Sequence, residues 1–304
     1  MRITKLSGLI INALVATLAS AQAQAQAQEK RVVAVGTRPE SVTRGFGGKY
    51  YVSVMNDPKV AGDGVIKVID GDRVSVFASG LDEPKGICFT GKYLVTTDVK
   101  KVWKIDAKGE KSVLADEHDF PQPINFLNDT ACESGGGAVF VSDMGANTKT
   151  RDEKGNLWPL DSEKAKELPN IGRVYRIPLG GKPTLAIDAG QEIPCPNGVT
   201  VPSKGHVLVA EFFKGNVLEK KGDKVAVVAT GYRGGDGIET DRRGNIYLSS
   251  WTQGKVWKLD RRGKEQKLVA EGFQSAADFF LDEKAKQILV PDMKAGTVTF
   301  VPLP

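Results

Sequence analysis

Six copies of one short unit follow one another along the chain. The copies begin at Pro39, Pro84, Leu127, Pro196, Gly235 and Ala276, with spacings of 45, 43, 69, 39 and 41 residues. A period of about 40 to 50 residues, with several strands in each period, is typical of the four-stranded blades of a β-propeller. The two central strands of the copies read YYVSVM with GVIKVID, KYLVTTD with KVWKID, AVFVSDM with GRVYRIP, HVLVAEF with GNVLEKK, NIYLSSW with GKVWKLD, and QILVPDM with GTVTFVP.

The longest spacing has a simple cause. A polar insertion from Gly145 to Ile171 separates the two central strands of the third copy, and its removal restores the period. The sixth copy ends without a fourth strand, whereas Arg31 to Val35 form a short β-rich run before the first copy. Helix periodicity is almost absent. We therefore predict an all-β fold: residues 29–304 form a single six-bladed β-propeller of four-stranded blades, closed by an N-terminal strand that completes the last blade.

Residues 1–28 have the pattern of a secretory signal peptide followed by an Ala-Gln leader. Arg2 and Lys5 precede an apolar run from Leu6 to Leu18, and the small residues Ala19-Ser20-Ala21 follow. Polar residues interrupt the run, which is also shorter than the roughly 20 residues needed to span a bilayer. This pattern predicts an exported protein, periplasmic or secreted, with no membrane association after removal of the signal.

Charge and cysteine content restrict the function further. The 42 Lys and Arg and 37 Asp and Glu are mixed along the chain, so nothing supports nucleic-acid binding. The 3 cysteines cannot all pair internally, and none has the spacing of a metal ligand. We expect Cys88, Cys132 and Cys195 to be buried thiols, and a Cys132–Cys195 disulfide is the alternative.

The segments that open the copies would line the central channel, because the first strand of each propeller blade does so. An oxygen-rich set without His or Cys suits a hard cation, and Ca²⁺ accepts carboxylate and Asn oxygens. The alternative is that Asn-Gly and Asp-Gly pairs at these positions only form turns. The residues that meet at this level are Glu40, Lys85, Asn128, Asn197, Asp236 and either Ala277 or Asp278.

Four of these openings carry a resemblance. The motifs Pro39-Glu40, Asn128-Asp129, Pro196-Asn197-Gly198 and Asp236-Gly237-Ile238 resemble the regucalcin and gluconolactonase family (the senescence marker protein family) of calcium-dependent six-bladed propellers. Paraoxonase and diisopropylfluorophosphatase are similar more distantly. The resemblance implies that Glu40, Asn128, Asn197 and Asp236 bind one catalytic Ca²⁺ in the channel, and that the reaction is hydrolysis of a lactone or ester. Asp129 is expected to brace the loop behind the ligands, and a direct ligand role is the alternative.

Two positions depart from the family pattern. Phe126 stands where gluconolactonases have an Arg that binds sugar hydroxyls, so a less polar substrate is expected. Lys85 stands where paraoxonases have a His. The expected mechanism uses the cation as a Lewis acid and Asp236 as the general base. Lys85 is either a second catalytic group, for proton transfer or oxyanion binding, or an ion-pair partner of Glu40 or Asp278.

Further substrate-binding candidates come from loops and from the channel. The insertion joins two strands on the face of the predicted centre, where Trp158 would contact substrate as part of a lid; a solvated loop without function is the alternative. Phe126 and Asp278 would contact substrate from the channel. His118 would do so from an inter-blade loop, and an ordinary exposed loop histidine is the alternative.

Three functions compete at this stage. The first is a metal-dependent hydrolase of small lactones or esters. The second is a non-catalytic exported propeller whose calcium is structural and whose loop face binds a ligand or protein. The third is a lyase or synthase chemistry in the same pocket, as in strictosidine-synthase-like propellers. We expect a monomer, because a closed ring has no strand edge to pair.

Overall fold

The computed structural model describes residues 30–303. The chain divides into Met1–Arg31, nearly all outside the described residues, and a compact unit from Val32 to Pro304. The predicted signal peptide and leader therefore lie outside the described residues. Within them, no helix is long and apolar enough to cross a membrane.

Six sheets of four antiparallel strands form the blades, which confirms the predicted six-bladed β-propeller. From the inner to the outer strand the blades are β2 (Pro39–Arg44), β3 (Tyr50–Val54), β4 (Gly64–Asp70) and β5 (Arg73–Leu81); β6 (Ile87–Phe89), β7 (Leu94–Thr97), β8 (Lys101–Ile105) and β9 (Lys111–Asp116); β10 (Leu127–Cys132), β11 (Ala138–Asp143), β12 (Arg173–Pro178) and β13 (Thr184–Ile187); β14 (Pro196–Ser203), β15 (His206–Glu211), β16 (Val217–Lys221) and β17 (Lys224–Ala229); β18 (Gly235–Thr240), β19 (Ile246–Ser250), β20 (Lys255–Leu259) and β21 (Gln266–Glu271); β22 (Phe280–Asp282), β23 (Gln287–Asp292), β24 (Thr297–Pro302) and β1 (Arg31–Ala34).

The last of these sheets contains both ends of the described chain. The strand order β1-β24-β23-β22 shows that the N-terminal strand completes blade 6, as predicted. The ring is thus closed by pairing between the two ends of the propeller, and β24 is not left as an exposed edge.

The hydrophobic core lies between neighbouring blades. The second strands are rich in β-branched and other apolar residues, which favour strands, and every residue of β11 is buried. Outer strands such as β9 keep several exposed positions because only one of their faces contacts a neighbour. One cluster joins Val95 and Val102 of blade 2 to Val139 and Tyr175 of blade 3. Packing between blades therefore fixes the level at which their inner strands meet.

Helical structure is confined to short segments. The segments Phe46–Gly48 and Asn147–Lys149 form single 3₁₀ turns. One α-helical turn, α1 (Glu163–Lys166), lies within the insertion, and the Ser162 hydroxyl caps it by accepting a hydrogen bond from the Ala165 N–H. The insertion connects β11 to β12, as the sequence predicted.

The inner strands share an irregularity near their first residues. In β2, β10, β14 and β18, two residues of the inner strand lie opposite one residue of the next strand. In β2, for example, Pro39 pairs with Val54 and Val42 with Val52, so that Glu40 and Ser41 lie opposite Ser53 alone. This is a β-bulge, which bends a strand and turns a side chain away from the ordinary alternation. The two other blades depart from the predicted starts, since β6 begins at Ile87 and β22 at Phe280.

The cysteines do not behave as predicted. A disulfide joins Cys88 of β6 to Cys132 of β10, with their Cα atoms 5.8 Å apart, and Cys195 is the buried free thiol. Both the expectation of three thiols and the alternative Cys132–Cys195 pairing are wrong. The reason is the position of each residue along the channel. Cys195 precedes β14, whereas Cys88 and Cys132 lie within the adjacent inner strands β6 and β10, beyond the first residue of each strand.

Candidate metal centre and active site

Four inner strands place an oxygen-bearing side chain at the same level. Glu40, Asn128, Asn197 and Asp236 are each the second residue of their strand, and each lies inside the bulge of that strand. All four are buried and line one cavity. The bulge at the channel end of each inner strand is thus the local feature that directs these side chains into a common space.

Each of the four side chains keeps one buried oxygen without a hydrogen-bond partner. Among the described residues, six buried side-chain oxygens are unpaired, and four of them belong to this set: Glu40 Oε2, Asn128 Oδ1, Asn197 Oδ1 and Asp236 Oδ1. A buried polar atom without a partner typically costs about 1–3 kcal/mol. One ligand of positive charge could satisfy all four of these atoms, because they line a single cavity.

The amide groups are held with their oxygens free. The Asn128 Nδ2 donates to Met144 Sδ at 2.9 Å, and the Asn197 Nδ2 donates to the Gly235 carbonyl oxygen at 3.2 Å. Because each NH₂ group is directed to its own acceptor, each Oδ1 is left without a hydrogen-bond partner. Two carboxylates with two carboxamide oxygens form a donor set that suits a hard divalent cation such as Ca²⁺.

This donor set is only half carboxylate. No group of three or more His, Cys, Asp or Glu residues in the described part of the chain is arranged to hold a metal ion. The candidate centre instead depends on two Asn side chains, which together with Glu40 and Asp236 supply the oxygen ligands.

Electrostatics in the channel also favour a bound cation. Burial raises the pKa of Glu40 to about 8, and the nearby Asp129 carboxylate adds to the rise, whereas Lys85 and Arg38 oppose it. Burial likewise raises the pKa of Asp236 well above its usual value, and the carboxylates of Glu40 and Asp129 raise it further. A divalent cation between these carboxylates would remove the repulsion and favour their charged forms.

The cavity in front of these oxygens has a volume of about 260 Å³. Its walls combine apolar side chains with three cationic ones. Besides the four oxygen-bearing residues, the lining comprises Arg38, Met55, Glu83, Lys85, Phe126, Met144, Asn147, Arg151, Phe212, Trp251 and Met293. Such a combination of apolar walls and few polar groups is typical of a small-molecule site.

Five of the apolar lining residues occupy one equivalent position. Each directly follows the last residue of the second strand of its blade: Met55, Met144, Phe212, Trp251 and Met293. We call these five residues the apolar collar. The sequence did not distinguish them as lining residues, although each is the last residue of the predicted second strand in a recognised repeat copy. The repeat pattern does not show that this position faces the cavity.

Acidic residues at the ends of the second strands hold the loops around the cavity. The Asp143 carboxylate accepts hydrogen bonds from the backbone N–H groups of Asn125 and Phe126, at 3.0 and 2.8 Å. Glu211 accepts four such bonds, from Cys195, Phe213, Lys214 and Gly215. Asp98 and Asp292 make equivalent contacts in their blades. These carboxylates fix the chain immediately before the inner strands and hence the side chains that open them.

Lys85 lies in the cavity, but not in either expected ion pair. Its Nζ donates to the Glu83 carbonyl oxygen at 3.2 Å and lies 3.5 Å from Glu83 Oε2, so its partner is neither Glu40 nor Asp278. The ammonium group lies 4.9 Å from the centre of the Phe126 ring. Burial lowers the pKa of Lys85, and the Glu83 carboxylate partly offsets this effect. Arg38 shares the same carboxylate, with 3.7 Å between its Nη2 and Glu83 Oε2.

Asp129 faces away from the candidate centre, as a bracing role requires. Its Oδ1 accepts from the Thr130 N–H at 2.6 Å, and its Oδ2 accepts from the Val199 N–H of the next blade at 2.7 Å. Asp278 also faces away from the main cavity. It accepts a hydrogen bond from the Ser41 hydroxyl and lines a second cavity together with Asp129. Asp278 therefore does not line the main cavity, where it was predicted to contact substrate.

The loop candidates have different outcomes. Phe126 lines the cavity as predicted. His118 is exposed and lines no part of the cavity, and its backbone N–H donates to the Asp116 carboxylate. Trp158 packs beside the cavity in a cluster with Met144 and Phe212, and its Nε1 donates to the Lys149 carbonyl oxygen at 3.1 Å. It supports the wall rather than forming its surface.

The insertion does reach the cavity, through residues that sequence reasoning missed. Asn147 and Arg151 come from its first turns and line the cavity directly. Arg38, which precedes the first ligand strand, has a left-handed backbone with φ of 58°. No sequence signal distinguished these polar residues from the many others in surface loops.

Comparisons with known proteins agree with this architecture. The gluconolactonase of Xanthomonas campestris has 18% identity, coverage of 93% of both chains and a TM-score of 0.67. A regucalcin of Agrobacterium tumefaciens, described as a calcium-binding protein, has 17% identity, coverage of 90% of this chain and 91% of that one, and a TM-score of 0.63. A putative gluconolactonase has 16% identity, the same coverage and a TM-score of 0.64. At these identities the similarity shows the fold. No curated protein matches the chain.

The sequence itself provides the family assignment. The model of the SMP-30/Gluconolactonase/LRE-like region matches residues 90–277, which is more than half of the 304 residues. The matched range includes three of the four candidate ligands, and Glu40 completes the set from the first blade. The chain therefore belongs to the SMP-30/gluconolactonase/LRE-like family.

Proposed function

We propose that the protein is a divalent-metal-dependent hydrolase of small lactones or esters, with Ca²⁺ as the metal. The observation that supports this most strongly is the convergence of four unpaired buried oxygens, from Glu40, Asn128, Asn197 and Asp236, on one small cavity. Membership of a family that includes gluconolactonases supports the reaction class. The described calcium binding of the Agrobacterium regucalcin supports the choice of metal.

The bound cation would supply Lewis acidity toward a carbonyl oxygen in the cavity. In this proposal the Asp236 carboxylate accepts a proton from the attacking water while the water oxygen bonds to the carbonyl carbon. Lys85 then serves as the second polar group, since its ammonium has N–H donors that can hydrogen-bond to an oxygen bearing negative charge. The bond between the carbonyl carbon and the ring or ester oxygen then breaks, and the proton taken by Asp236 is delivered to that leaving oxygen. The product is a hydroxy acid from a lactone, or a carboxylic acid and an alcohol from an ester.

The remaining walls select and enclose the substrate. Phe126 and the apolar collar offer carbon surface rather than hydroxyl partners, so the body of the substrate is less polar than a sugar lactone. The same surface limits the water that reaches the carbonyl. The volume of about 260 Å³ suits a small ring rather than a polymer.

We also propose that the protein is exported. Its N-terminal sequence has the pattern of a signal peptide, and its inner strands are joined by a Cys88–Cys132 disulfide, a bond that persists in oxidising compartments. The intact mass of protein recovered from the periplasm or medium tests this. A chain that begins near residue 28 supports export, whereas an intact N-terminus on protein found only in the cytoplasm contradicts it.

The decisive experiment combines metal analysis with turnover. The purified mature protein is assayed on a panel of small lactones and aryl esters, before and after chelation and again after Ca²⁺ is restored. We expect turnover that is lost with chelator and regained with Ca²⁺. Asp236→Asn should lower kcat by 10²-fold or more, whereas Glu110→Gln, which changes an exposed carboxylate, should leave kcat unchanged.

Two outcomes would contradict the proposal. Full turnover by metal-free protein would exclude the metal role of the four oxygens. Bound metal with no turnover on any member of the panel would favour a non-catalytic binding protein whose cation is structural.

A further inference from the structure

Arg151 is the cationic side chain that the insertion contributes to the cavity. Its Cζ lies 5.2 Å from the centre of the Phe212 ring, and its Nη2 donates to Asn147 Oδ1 at 2.8 Å. Asn147 and Phe212 are themselves buried, so the guanidinium is held in a fixed place rather than free in solvent. Of its five N–H donors, one has an acceptor among the described residues.

The charge of Arg151 is not balanced by the protein. Arg44, Arg173 and Arg176 each pair with a carboxylate at 3.2 Å or less. No carboxylate in residues 30–303 forms such a pair with Arg151. Its partial burial lowers its pKa, which is the effect expected of a desolvated cation without a counter-charge. A cation in this state gains most from an anionic ligand.

Arg233 shows that the lack of a carboxylate is not sufficient by itself. That guanidinium also contacts a phenylalanine, Phe213, but it donates to the carbonyl oxygens of Phe213 and Trp158 at 2.9 and 2.7 Å. Two of its donors are therefore used within the fold, whereas Arg151 uses one. Arg151 also lines the cavity of the candidate centre, which Arg233 does not.

The charges of the whole cavity also favour an anionic ligand. Arg38 and Lys85 share a single carboxylate, Glu83. A divalent cation would balance Glu40 and Asp236. With that cation in place the cavity walls have an excess of positive charge, and Arg151 is the part of it that lies on the insertion side.

We infer that the substrate is a lactone or ester bearing a second, non-reacting carboxylate, which Arg151 binds through its guanidinium. This inference rests on the proposed function for the identity of the reacting group. A guanidinium presents its donors in a planar fork that matches a carboxylate in a bidentate contact. The apolar collar then contacts the carbon skeleton between the two ends. Arg151 thus determines which lactones or esters are accepted.

The test compares two lactones that differ only in charge. The probes are 5-oxotetrahydrofuran-2-carboxylate and its primary amide, assayed with the Ca²⁺-loaded mature protein. We expect kcat/KM for the acid to exceed that for the amide at least tenfold. Arg151→Gln should reduce this ratio to near one, and Arg151→Lys should retain part of it because the charge remains. Lys154→Gln removes an exposed positive charge from the same insertion and should leave the ratio unchanged.

The contrary results are equally clear. An acid-to-amide ratio that survives Arg151→Gln, or a native preference for the amide, overturns the inference. If the native protein hydrolyses neither lactone, the panel of lactones and aryl esters decides the proposed function, and calorimetric titration with these two compounds decides the question of charge. Binding of the acid that Arg151→Gln weakens tenfold or more supports a carboxylate site; equal affinities of the native protein and the variant overturn it.

Discussion

Glu239 is a half-buried carboxyl group that lies outside the cavity of the candidate ligands. It lies in β18 at the other end of the channel and lines the second cavity with Asp129 and Asp278. Burial raises its pKa from 4.5 to about 7; the hydrogen bond from Thr200 Oγ1, at 3.2 Å, opposes the rise, and the Asp129 carboxylate adds to it. The folded protein therefore holds this proton more tightly than the unfolded chain does.

This difference predicts a pH-dependent stability. Because the pKa is higher in the folded state, the contribution of Glu239 is fully present below pH 4.5 and is lost as the pH rises to about 7. The loss amounts to about 3 kcal/mol at most. Glu239→Gln should remove it, so that the free energy of unfolding falls less between pH 5 and pH 8 in the variant than in the native protein. Urea denaturation at the two pH values measures this.

Glu110→Gln is the matched control, because it replaces an exposed carboxyl group. Its free energy of unfolding should follow that of the native protein at both pH values. If Glu239→Gln also follows the native protein, the carboxyl group is not coupled to folding in this way.

At the scale of residues, sequence reasoning found the oxygen-bearing set but not its surroundings. Glu40 and Asp236 could be identified because the repeat fixed their register. The partner of Lys85 could not, since residues at one level of the ring were assumed to face each other, whereas its ammonium turns to Glu83 in its own loop. Arg151 gave no signal because it belongs to no repeat position.

Among the structural elements, the inner strands β14 and β18 are in close contact beside the candidate centre. A Cβ atom added at Gly198 in β14 would lie 1.9 Å from the Asp236 carbonyl oxygen in β18. Gly198 does not have a positive φ. The glycine is therefore required by the contact between two blades, and the interpretation of Asn197-Gly198 as a turn is wrong.

Gly198→Ala should force these two strands apart. We expect a loss of about 1–3 kcal/mol in unfolding free energy, the usual cost of overpacking. We also expect weaker Ca²⁺ binding, because Asn197 and Asp236 flank the contact. Thermal unfolding with and without Ca²⁺ measures both effects. Gly190→Ala is the control, since a Cβ there has no neighbour within 4 Å; equal behaviour of the two variants would contradict the close contact.

The repeat predicted where most strands lie, but it could not predict their local irregularities. The inner strands of blades 1, 3, 4 and 5 begin at their expected residues. Their bulges arise where side chains are directed toward the channel, and a bulge adds one residue without changing the residue types of the strand. The apolar collar was missed for a related reason: an apolar residue at the end of an apolar strand has the same pattern whether it faces the core or a cavity.

At the scale of the whole molecule, one disulfide links two neighbouring blades of the ring in addition to the chain itself. The Cys88–Cys132 disulfide joins the inner strands of blades 2 and 3 across 44 residues of chain. Since the link closes a loop of that length, it restricts the unfolded chain, which stabilises the folded state by about 2–4 kcal/mol.

Removing this link should therefore weaken the whole propeller. The double variant Cys88→Ser/Cys132→Ser is expected to lose about 2–4 kcal/mol of unfolding free energy. Reductant should produce the same loss in the native protein and no further loss in the variant. Denaturant titrations under oxidising and reducing conditions measure this. Indifference of the native protein to reductant would show that the link does not contribute.

The disulfide depends on the assembled ring, which explains why it was not predicted. Cys88 follows Lys85 by three residues, and Cys132 follows Asn128 by four. The bulge of β10 takes up the extra residue, so the two sulfurs meet at one level of adjacent blades. Closure of the ring by β1 was predictable because it required only that both ends of the repeat be incomplete.

The collar and the candidate ligands come from different strands of each blade, and this separation bears on how such a protein can diversify. The oxygens open the inner strands, whereas the collar residues follow the second strands. Selection, natural or in the laboratory, can thus alter the apolar walls without replacing the candidate ligands. Met144 is the exception, because its Sδ accepts the hydrogen bond from Asn128 Nδ2. A combinatorial library restricted to Met55, Phe212, Trp251 and Met293 would vary the walls of the cavity while the contacts of the four oxygen-bearing side chains are kept.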